Sequence, residues 1–326
     1  MYVFTKIKAT KRSLCHGSVF IIGLACAVWM PILAAKSADG VSDDYQSIKY
    51  STSKQGYQVA AIVEEHGPYL FIIDSGLSQR HLLSQRVATD LGLSPSRSTT
   101  AMTASGPQDV TLSNVESIKL GELEIGPAKV AIFDFPTEFE KSFDSALPFG
   151  GILGAILLKD YSLSFSPTQQ SLTLNKGCAG DSSGLVVAEI PLVGRGGGRF
   201  INGRVAGHSV KLAIDTGAET ALMLFEDVAK KLYISNRFGP GEAVTLRGGN
   251  GKKIDAVKIT IPQMDINGNY FYDIETIILP RSGNKFFQRD DGHIGRNFFL
   301  SAHSYQIDYP CSRIRLFQTL TEKPRE

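Results

Sequence analysis

The sequence has no excess of charge of either sign, which removes the usual basis for binding nucleic acid. It contains 34 Lys and Arg against 32 Asp and Glu, a formal net charge of +2 at pH 7. Lys6, Lys8, Lys11 and Arg12 lie in an N-terminal stretch that has no acidic residue, and the rest of the chain has 30 basic and 32 acidic residues. Because nucleic-acid-binding domains normally carry a strongly basic surface, no nucleic-acid partner is expected.

The sequence also lacks the usual patterns of metal-binding and nucleotide-binding sites. No metal-ligand spacing to Cys, Asp or Glu is found around His66, His81, His208 and His303. The glycine-rich segment 194–199, GRGGGR, lacks the Lys-Ser/Thr of a P-loop and does not join a strand to a helix. We therefore expect no metal site, and we interpret 194–199 as a hairpin turn.

Cysteine is scarce, with four in the chain. Cys15 and Cys26 fall in the N-terminal stretch, which leaves Cys178 and Cys311. These two could form a disulfide in an oxidising compartment, but residues so far apart in sequence need not be in contact. The sequence leaves their pairing open, and their hairpin or linker settings suit a structural role better than a nucleophile.

The N-terminal stretch is typical of an export signal. Basic residues precede the apolar run 18–35, SVFIIGLACAVWMPILAA, which ends in small residues. We expect 1–35 to be a signal peptide cleaved after Ala35 and the protein to be exported, most simply to the periplasm. The alternative is an uncleaved anchor in the inner membrane, because a run of this length nearly spans a bilayer.

The chain repeats itself at an offset of 141 residues. Residues 74–76, Asp-Ser-Gly, align with 215–217, Asp-Thr-Gly, and GGILG at 150–154 aligns with DGHIG at 291–295. A repeat of this length indicates a duplicated lobe rather than a solenoid unit. The predicted domains are an N-terminal lobe, a polar, turn-rich linker and a C-terminal lobe, at 45–176, 177–186 and 187–320.

Each copy is predicted to be mostly strand. Short apolar runs separated by glycine-containing turns indicate β-hairpins, including one at the end of each copy. One clear helix is expected after each Asp triplet, with Ser84 as the cap of the first, and a second short helix is expected after each Leu-Gly or Ile-Gly.

The matched Asp triplets indicate acid–base chemistry. A pseudo-twofold axis between the lobes would bring Asp74 and Asp215 together, and two adjacent carboxylates cannot both ionise comfortably. Such a pair shares one proton, so that one member acts as a base and the other as an acid at the same pH.

This doubled pattern resembles the retropepsin-like aspartic proteases, in the single-chain, two-lobe form of exported bacterial aspartyl proteases. The resemblance covers about 58–174 and 200–316. It implies an all-β fold of two pseudo-symmetric β-barrel lobes, a short helix in each and an active-site cleft between them. It also implies a monomer that binds a peptide or protein substrate and requires neither a metal nor an organic cofactor.

The same resemblance assigns roles to residues. Asp74 and Asp215 would activate a water that attacks a peptide carbonyl. The residues expected to support the active-site loops are Ser75, Gly76, Thr216, Gly217, Ile152, Leu153, Gly154, Ile294 and Gly295. The candidates for substrate-covering flaps are Ser105, Gly106, Gly248, Gly249, Asn250 and Gly251. For the first flap an ordinary hairpin turn is an equal alternative, because Pro107 lacks an N–H donor.

Three residues depart from the family pattern. Leu77 replaces a small residue and would either narrow the cleft or fill the core. Glu219 stands where Ser or Thr is usual and would either bind substrate backbone or form a solvated ion pair. His293 replaces a hydrophobic residue and would either alter the proton balance of the dyad or be a structural imidazole.

Two functions are therefore carried forward. The first is an exported aspartic endopeptidase that acts on extended protein segments. The second is a peptide-binding module that keeps the duplicated fold without turnover. The presence of both Asp residues favours the enzyme, while Leu77 and His293 keep the second function open.

Overall fold

The computed structural model describes residues 45–54, 56–77, 79–103, 106–180, 184–194, 198–248, 251–281 and 290–318. The predicted signal or anchor segment, 1–35, lies outside these residues. Within the described ranges no helix is both long and apolar enough to cross a bilayer.

The described residues form 23 strands and six short helices, so the chain is mostly β, as predicted. The strands of the first copy are β1 (Tyr45–Lys49), β2 (Ser51–Ser53), β3 (Gly56–Val63), β4 (His66–Asp74), β5 (His81–Ser84), β6 (Arg97–Thr103), β7 (Gly106–Val115), β8 (Ile118–Leu120), β9 (Leu123–Ile125), β10 (Ala128–Phe133), β11 (Phe149–Gly154), β12 (Tyr161–Ser166) and β13 (Ser171–Lys176). Those of the second copy are β14 (Leu185–Pro191), β15 (Phe200–Val205), β16 (His208–Asp215), β17 (Leu222–Phe225), β18 (Glu242–Arg247), β19 (Lys253–Ile266), β20 (Asn269–Leu279), β21 (Gly292–Gly295), β22 (Ser304–Asp308) and β23 (Arg313–Gln318). The helices are α1 (Gln85–Asp90), α2 (Thr137–Glu140), α3 (Ala155–Leu158), α4 (Glu226–Lys231), α5 (Ile234–Phe238) and α6 (Arg296–Phe299).

One six-stranded sheet joins the two copies. Its order is β1-β13-β12-β22-β23-β14, so the terminal hairpin of each copy lies at the centre. β12 and β22 pair antiparallel, with Leu163 opposite Ile307 and Phe165 opposite Tyr305. The rings of Phe165 and Tyr305 stack at 4.7 Å between centroids. The shared sheet therefore fixes one copy against the other about a pseudo-twofold axis.

Each copy folds its remaining strands into a lobe of the same topology. In the second lobe the strands β15-β16-β21-β17-β20-β19 form a barrel that closes where β19 pairs with β15. The first lobe follows the equivalent order β3-β4-β11-β5-β10-β7, and its last strand is divided so that β8, not β7, pairs with β3. Pro127, which has no N–H, separates β9 from β10, whereas the equivalent β20 is continuous. The predicted two-lobed β-barrel fold is confirmed.

The hydrophobic core is continuous through both lobes and the joining sheet. A second, smaller cluster lies in the first lobe, where Phe133, Phe135, Phe143 and Phe149 pack with apolar residues of β4 and β7. Phe143 and Phe149 stack at 4.8 Å between ring centroids. This aromatic cluster ties the loop that carries α2 to the strand β11.

Short helices follow the Asp loops. α1 begins after Ser84, whose Oγ accepts the Val87 N–H at 3.2 Å, so the predicted cap is confirmed. α4 begins after Phe225 without a side-chain cap, and its first turn holds two acidic residues that complement the helix dipole. α3 and α6 follow the last glycine of each repeat motif, as expected, whereas α2 and α5 were not predicted.

The linker is tied to the second lobe by a disulfide between Cys178 and Cys311, which are 133 residues apart. Next to it, Arg315 Nη2 donates to the carbonyl oxygens of Ala179 at 3.1 Å and Gly180 at 2.9 Å. The pairing that the sequence left open is thus present in the structure.

Matched glycines let one strand pass between two others in each lobe. β11 pairs parallel with β4 and antiparallel with β5, and β21 pairs in the same way with β16 and β17. A Cβ on Gly151 would lie 2.0 Å from Leu82 O, and one on Gly292 would lie 1.9 Å from Met223 O. Any other residue at these positions would force the strands apart.

We expect Gly292→Ala to lower the free energy of unfolding by about 1–3 kcal/mol, because its Cβ would collide with a main-chain carbonyl. The matched control is Gly180→Ala, where an added Cβ has no neighbour within 4 Å and the change should be within about 0.5 kcal/mol. Urea denaturation of both variants measures the difference. Equal midpoints would contradict the close strand passage.

Candidate active site

Two buried strands bring one carboxyl group from each lobe to the same place. Asp74 is the last residue of β4 and Asp215 the last residue of β16. In β4 the five residues before Asp74 are buried, whereas buried and half-buried residues alternate in β16 before Asp215. The carboxyl groups of Asp74 and Asp215 lie next to each other across the lobe boundary, and each shifts the pKa of the other.

The glycine of each triplet faces the opposite aspartate. A Cβ on Gly76 would lie 2.7 Å from Asp215 Cγ, and a Cβ on Gly217 would lie 2.7 Å from Asp74 Cγ. Gly76 also donates its N–H to Asp74 Oδ1 at 2.7 Å. The absence of a side chain at both glycines therefore lets the two carboxyl groups meet.

The hydroxyl residues of the triplets lock the two loops together by exchanging hydrogen bonds. Ser75 N donates to Thr216 Oγ1 at 3.0 Å, and Thr216 N donates to Ser75 Oγ at 2.9 Å. Each hydroxyl then donates across the boundary, Ser75 Oγ to Ile214 O at 3.0 Å and Thr216 Oγ1 to Ile73 O at 3.1 Å. Ser75 and Thr216 are buried, so these bonds are shielded from water.

The second motif of each copy supports its aspartate loop from behind. Ala155 N donates to Leu77 O at 2.8 Å, and Arg296 N donates to Ala218 O at 3.0 Å. A Cβ on Gly154 would lie 2.3 Å from Leu77 O, so the second motif also requires a glycine at this position.

Other predicted support residues lie in the same motifs. A Cβ on Gly295 would lie 2.2 Å from Thr220 O, which matches the crowding at the first motif. Leu153 and Ile294 are fully buried, and Ile152 is half-buried. These residues pack behind and beside the loops.

A buried histidine that the sequence did not single out also supports the second motif of the first copy. His81 Nδ1 accepts the Gly154 N–H at 3.1 Å. Burial lowers the pKa of His81 to about 4, so the ring is neutral at ordinary pH. The equivalent position in the second copy is Leu222, so only a comparison of the two copies could have indicated this residue.

The two aspartates are in unequal environments. Burial, the charge of Asp215 and the interaction with its carboxyl group raise the pKa of Asp74 to about 8. The Gly76 N–H, which donates to Asp74, opposes this rise. Burial by itself would raise the pKa of Asp215 as well, but the hydrogen bond and charge of His293, with the donors Asp74 and Ala218 N–H, lower it. The two pKa values are therefore shifted in opposite directions, upward for Asp74 and downward for Asp215.

His293 lies directly beside Asp215. Its Nδ1 is 3.3 Å from Asp215 Oδ2, and its Nε2 is 3.6 Å from Asp290 Oδ1. The three side chains form a row from the dyad into the second lobe. Sequence reasoning named His293 but missed Asp290, which is recognisable only from its spacing of three residues before the histidine.

The flap candidates lie at hairpin turns between paired strands. Gly106 begins β7, which pairs with β6, and Gly248 and Gly251 lie in the turn between β18 and β19. A Cβ on Gly251 would lie 3.3 Å from Pro136 Cγ, so the second flap reaches the first lobe. The remaining candidates, Ser105, Gly249 and Asn250, lie outside the described residues.

The other two unusual residues occupy different settings. Leu77 is half-buried, and its Cγ would lie 3.0 Å from a Cβ on Gly154, so it packs against the supporting motif. Glu219 is exposed and lines a cavity of about 280 Å³ with Arg296, whose guanidinium donates to Ser53 O at 2.5 Å.

The duplicated barrels and the paired carboxyl groups between them define a two-lobed protein with an aspartic-type site. The family model described as Aspartyl protease matches residues 59–156 and 201–298, together more than half of the chain. The chain therefore belongs to the aspartyl protease family and contains two copies of its domain. No curated protein matches it.

Removing one hydroxyl from the interlocked loops should destabilise the fold. Thr216→Val removes the buried acceptor of the Ser75 N–H and one donor to Ile73 O, so we expect a loss of about 1–3 kcal/mol in the free energy of unfolding. In a double-mutant cycle with Ser75→Ala the two losses should be non-additive, because the residues share hydrogen bonds. Thr100→Val, at an exposed position, is the control. Additive losses would show that the bonds act independently.

Proposed function

We propose that the protein is an exported aspartic endopeptidase that hydrolyses peptide bonds in extended protein segments. The observation that carries the proposal is the adjacent pair of Asp74 and Asp215, whose loops are held by reciprocal bonds between Ser75 and Thr216. A binding module would need neither this contact nor its shielding, whereas acid–base catalysis needs both.

The unequal dyad supplies an acid and a base at once. Asp215, as a carboxylate, accepts a proton from a water that attacks the substrate carbonyl carbon. Asp74, which carries the shared proton, donates it to the carbonyl oxygen. Breakdown of the tetrahedral intermediate then needs a proton on the leaving nitrogen, which the dyad returns.

The two hairpins proposed as flaps would suit an extended substrate. A peptide in the cleft would lie beneath the turns after β6 and β18, and flap backbone groups would bind its main chain as an added strand does. Specificity would then come from pockets for alternate side chains.

Export is proposed from the N-terminal stretch, whose basic residues precede an apolar run. Mass spectrometry of the protein recovered from the periplasm should show a chain that begins after Ala35. A chain that retains its N-terminus and pellets with the inner membrane would instead support an anchor.

Hydrolysis should depend on both aspartates. Asp74→Asn and Asp215→Asn should each lower kcat/KM on a broad peptide library by at least about 10²–10⁴, because each removes one proton-transfer group. Asp160→Asn is the control, since this exposed carboxylate forms an ion pair with its neighbour Lys159 at 2.9 Å. A statine-type transition-state analogue should bind the wild-type protein and inhibit its hydrolysis of the peptides.

Peptide binding separates the two candidate functions. The endopeptidase predicts that the Asn variants still bind library peptides but do not cleave them. A wild-type protein that binds peptides without cleaving them between pH 3 and pH 9, unaffected by either substitution, would favour the binding module.

A further inference from the structure

The two copies differ beside the dyad, although their backbones match. Ile152 lies opposite Ile72 on β4 and Leu82 on β5. Its equivalent at an offset of 141 is His293, which lies opposite Ala213 on β16 and Met223 on β17. The apolar residue at this position of the first copy is thus replaced in the second copy by an ionisable one beside Asp215.

A second replacement accompanies the first. Phe149 precedes Ile152 by three residues and packs in the aromatic cluster of the first lobe. In the second copy this position is Asp290, whose side chain is 8% exposed. The two polar residues occur together in one copy and are both absent from the other.

Carboxylate oxygens face both nitrogens of the His293 ring. Nδ1 is 3.3 Å from Asp215 Oδ2, and Nε2 is 3.6 Å from Asp290 Oδ1. A neutral imidazole has one N–H and could serve only one of these acceptors, whereas the imidazolium has two. Among the described residues Asp290 Oδ1 has no hydrogen-bond partner, so the ring is the group placed to supply one.

The other groups packed around the ring leave this assignment intact. From β17, the Phe225 ring lies in a T-shaped arrangement with the His293 ring, 5.8 Å between centroids. Arg281 Nη1 donates to the main-chain oxygen of Asp290 at 2.9 Å, and its Nε donates to Asp227 at 3.0 Å. Asp291 Oδ2 accepts the Lys211 N–H at 2.8 Å. Among the described residues, Arg281 is a cation close to Asp290, and its guanidinium is engaged by Asp227.

We propose that His293 is a positioning residue that assigns the two roles in the dyad: as an imidazolium held by Asp290, it keeps Asp215 ionised and leaves the shared proton on Asp74. The inference rests on the proposed function for its catalytic meaning, but not for its charge states. With identical neighbours either carboxyl group could hold the proton. Here the second lobe supplies the base and the first lobe supplies the acid.

The electrostatics agree with the geometry. Burial alone would lower the pKa of His293, but the hydrogen bonds and charges of Asp215 and Asp290 outweigh it and raise the pKa to about 9. A histidine whose pKa is raised in this way keeps its proton through neutral pH. The assignment of the two dyad roles therefore persists there.

The first test measures the charge of His293 directly. In full-length protein with ¹⁵N-labelled histidine, the ring resonances that disappear in His293→Gln belong to this residue. We expect them to show a doubly protonated ring at pH 7. A ring that titrates with a pKa at or below the ordinary value of about 6.5 would overturn the proposal.

The second test uses stability and needs no activity. At pH 6 Asp74→Asn replaces a protonated carboxyl by a neutral amide of the same shape, so the urea midpoint should change little. Asp215→Asn removes the carboxylate that the imidazolium contacts, so the midpoint should fall further. In the His293→Gln background, which keeps a donor but no charge, this difference should shrink. Equal shifts for both Asn variants in wild-type protein would overturn the proposal.

The third test is the pH dependence of kcat/KM. Activity requires Asp215 as a carboxylate, and a cation beside it lowers its pKa. His293→Gln and His293→Ile, the latter copying Ile152, should therefore move the acid limb upward by about 1–3 pH units. An unchanged acid limb would overturn the assignment. If the wild type cleaves no peptide, the proposed function fails, while the first two tests still decide the charge states.

Discussion

The exchange of hydrogen bonds between Ser75 and Thr216 is the constraint on which the site depends. Each residue gives its hydroxyl and its N–H to the other lobe, so neither loop can keep its geometry alone. The joining sheet sets the approximate relation of the lobes, and these four bonds set the fine distance between the carboxyl groups. Both are consequences of duplication, because an axis that relates two copies brings equivalent residues into contact.

Much of this arrangement could be predicted from the sequence because it is encoded locally and twice. Asp-Ser/Thr-Gly after an apolar strand, and a second glycine motif 80 residues later, recur with the same spacing. The repeat predicted the lobes, the terminal hairpins, the helix capped by Ser84 and the meeting of Asp74 with Asp215. The glycines recur because carbonyl groups and carboxylates lie where a Cβ would be.

The rest depends on tertiary contacts that no local pattern encodes. The Cys178–Cys311 pair is a contact across 133 residues, which spacing alone left open. His81 supports the second motif of the first copy by accepting one hydrogen bond from the Gly154 N–H. A single histidine in a strand sequence does not predict such a bond. Asp290 was missed because its equivalent in the first copy, Phe149, belongs to the hydrophobic core, so the repeat itself argued for an apolar residue there.

Symmetry creates the dyad, and the proposed role of His293 breaks that symmetry. A shared proton can sit on either of two equivalent carboxyl groups, and both arrangements would then be populated. Divergence at 290 and 293 favours one of these two arrangements. The cation beside Asp215 stabilises the ionised form of that residue, whereas the equivalent residue in the first copy, Ile152, has no charge. Duplication within one chain permits such a change, since each copy can mutate separately. A dimer of identical subunits would carry the histidine beside both carboxyl groups and regain the degeneracy.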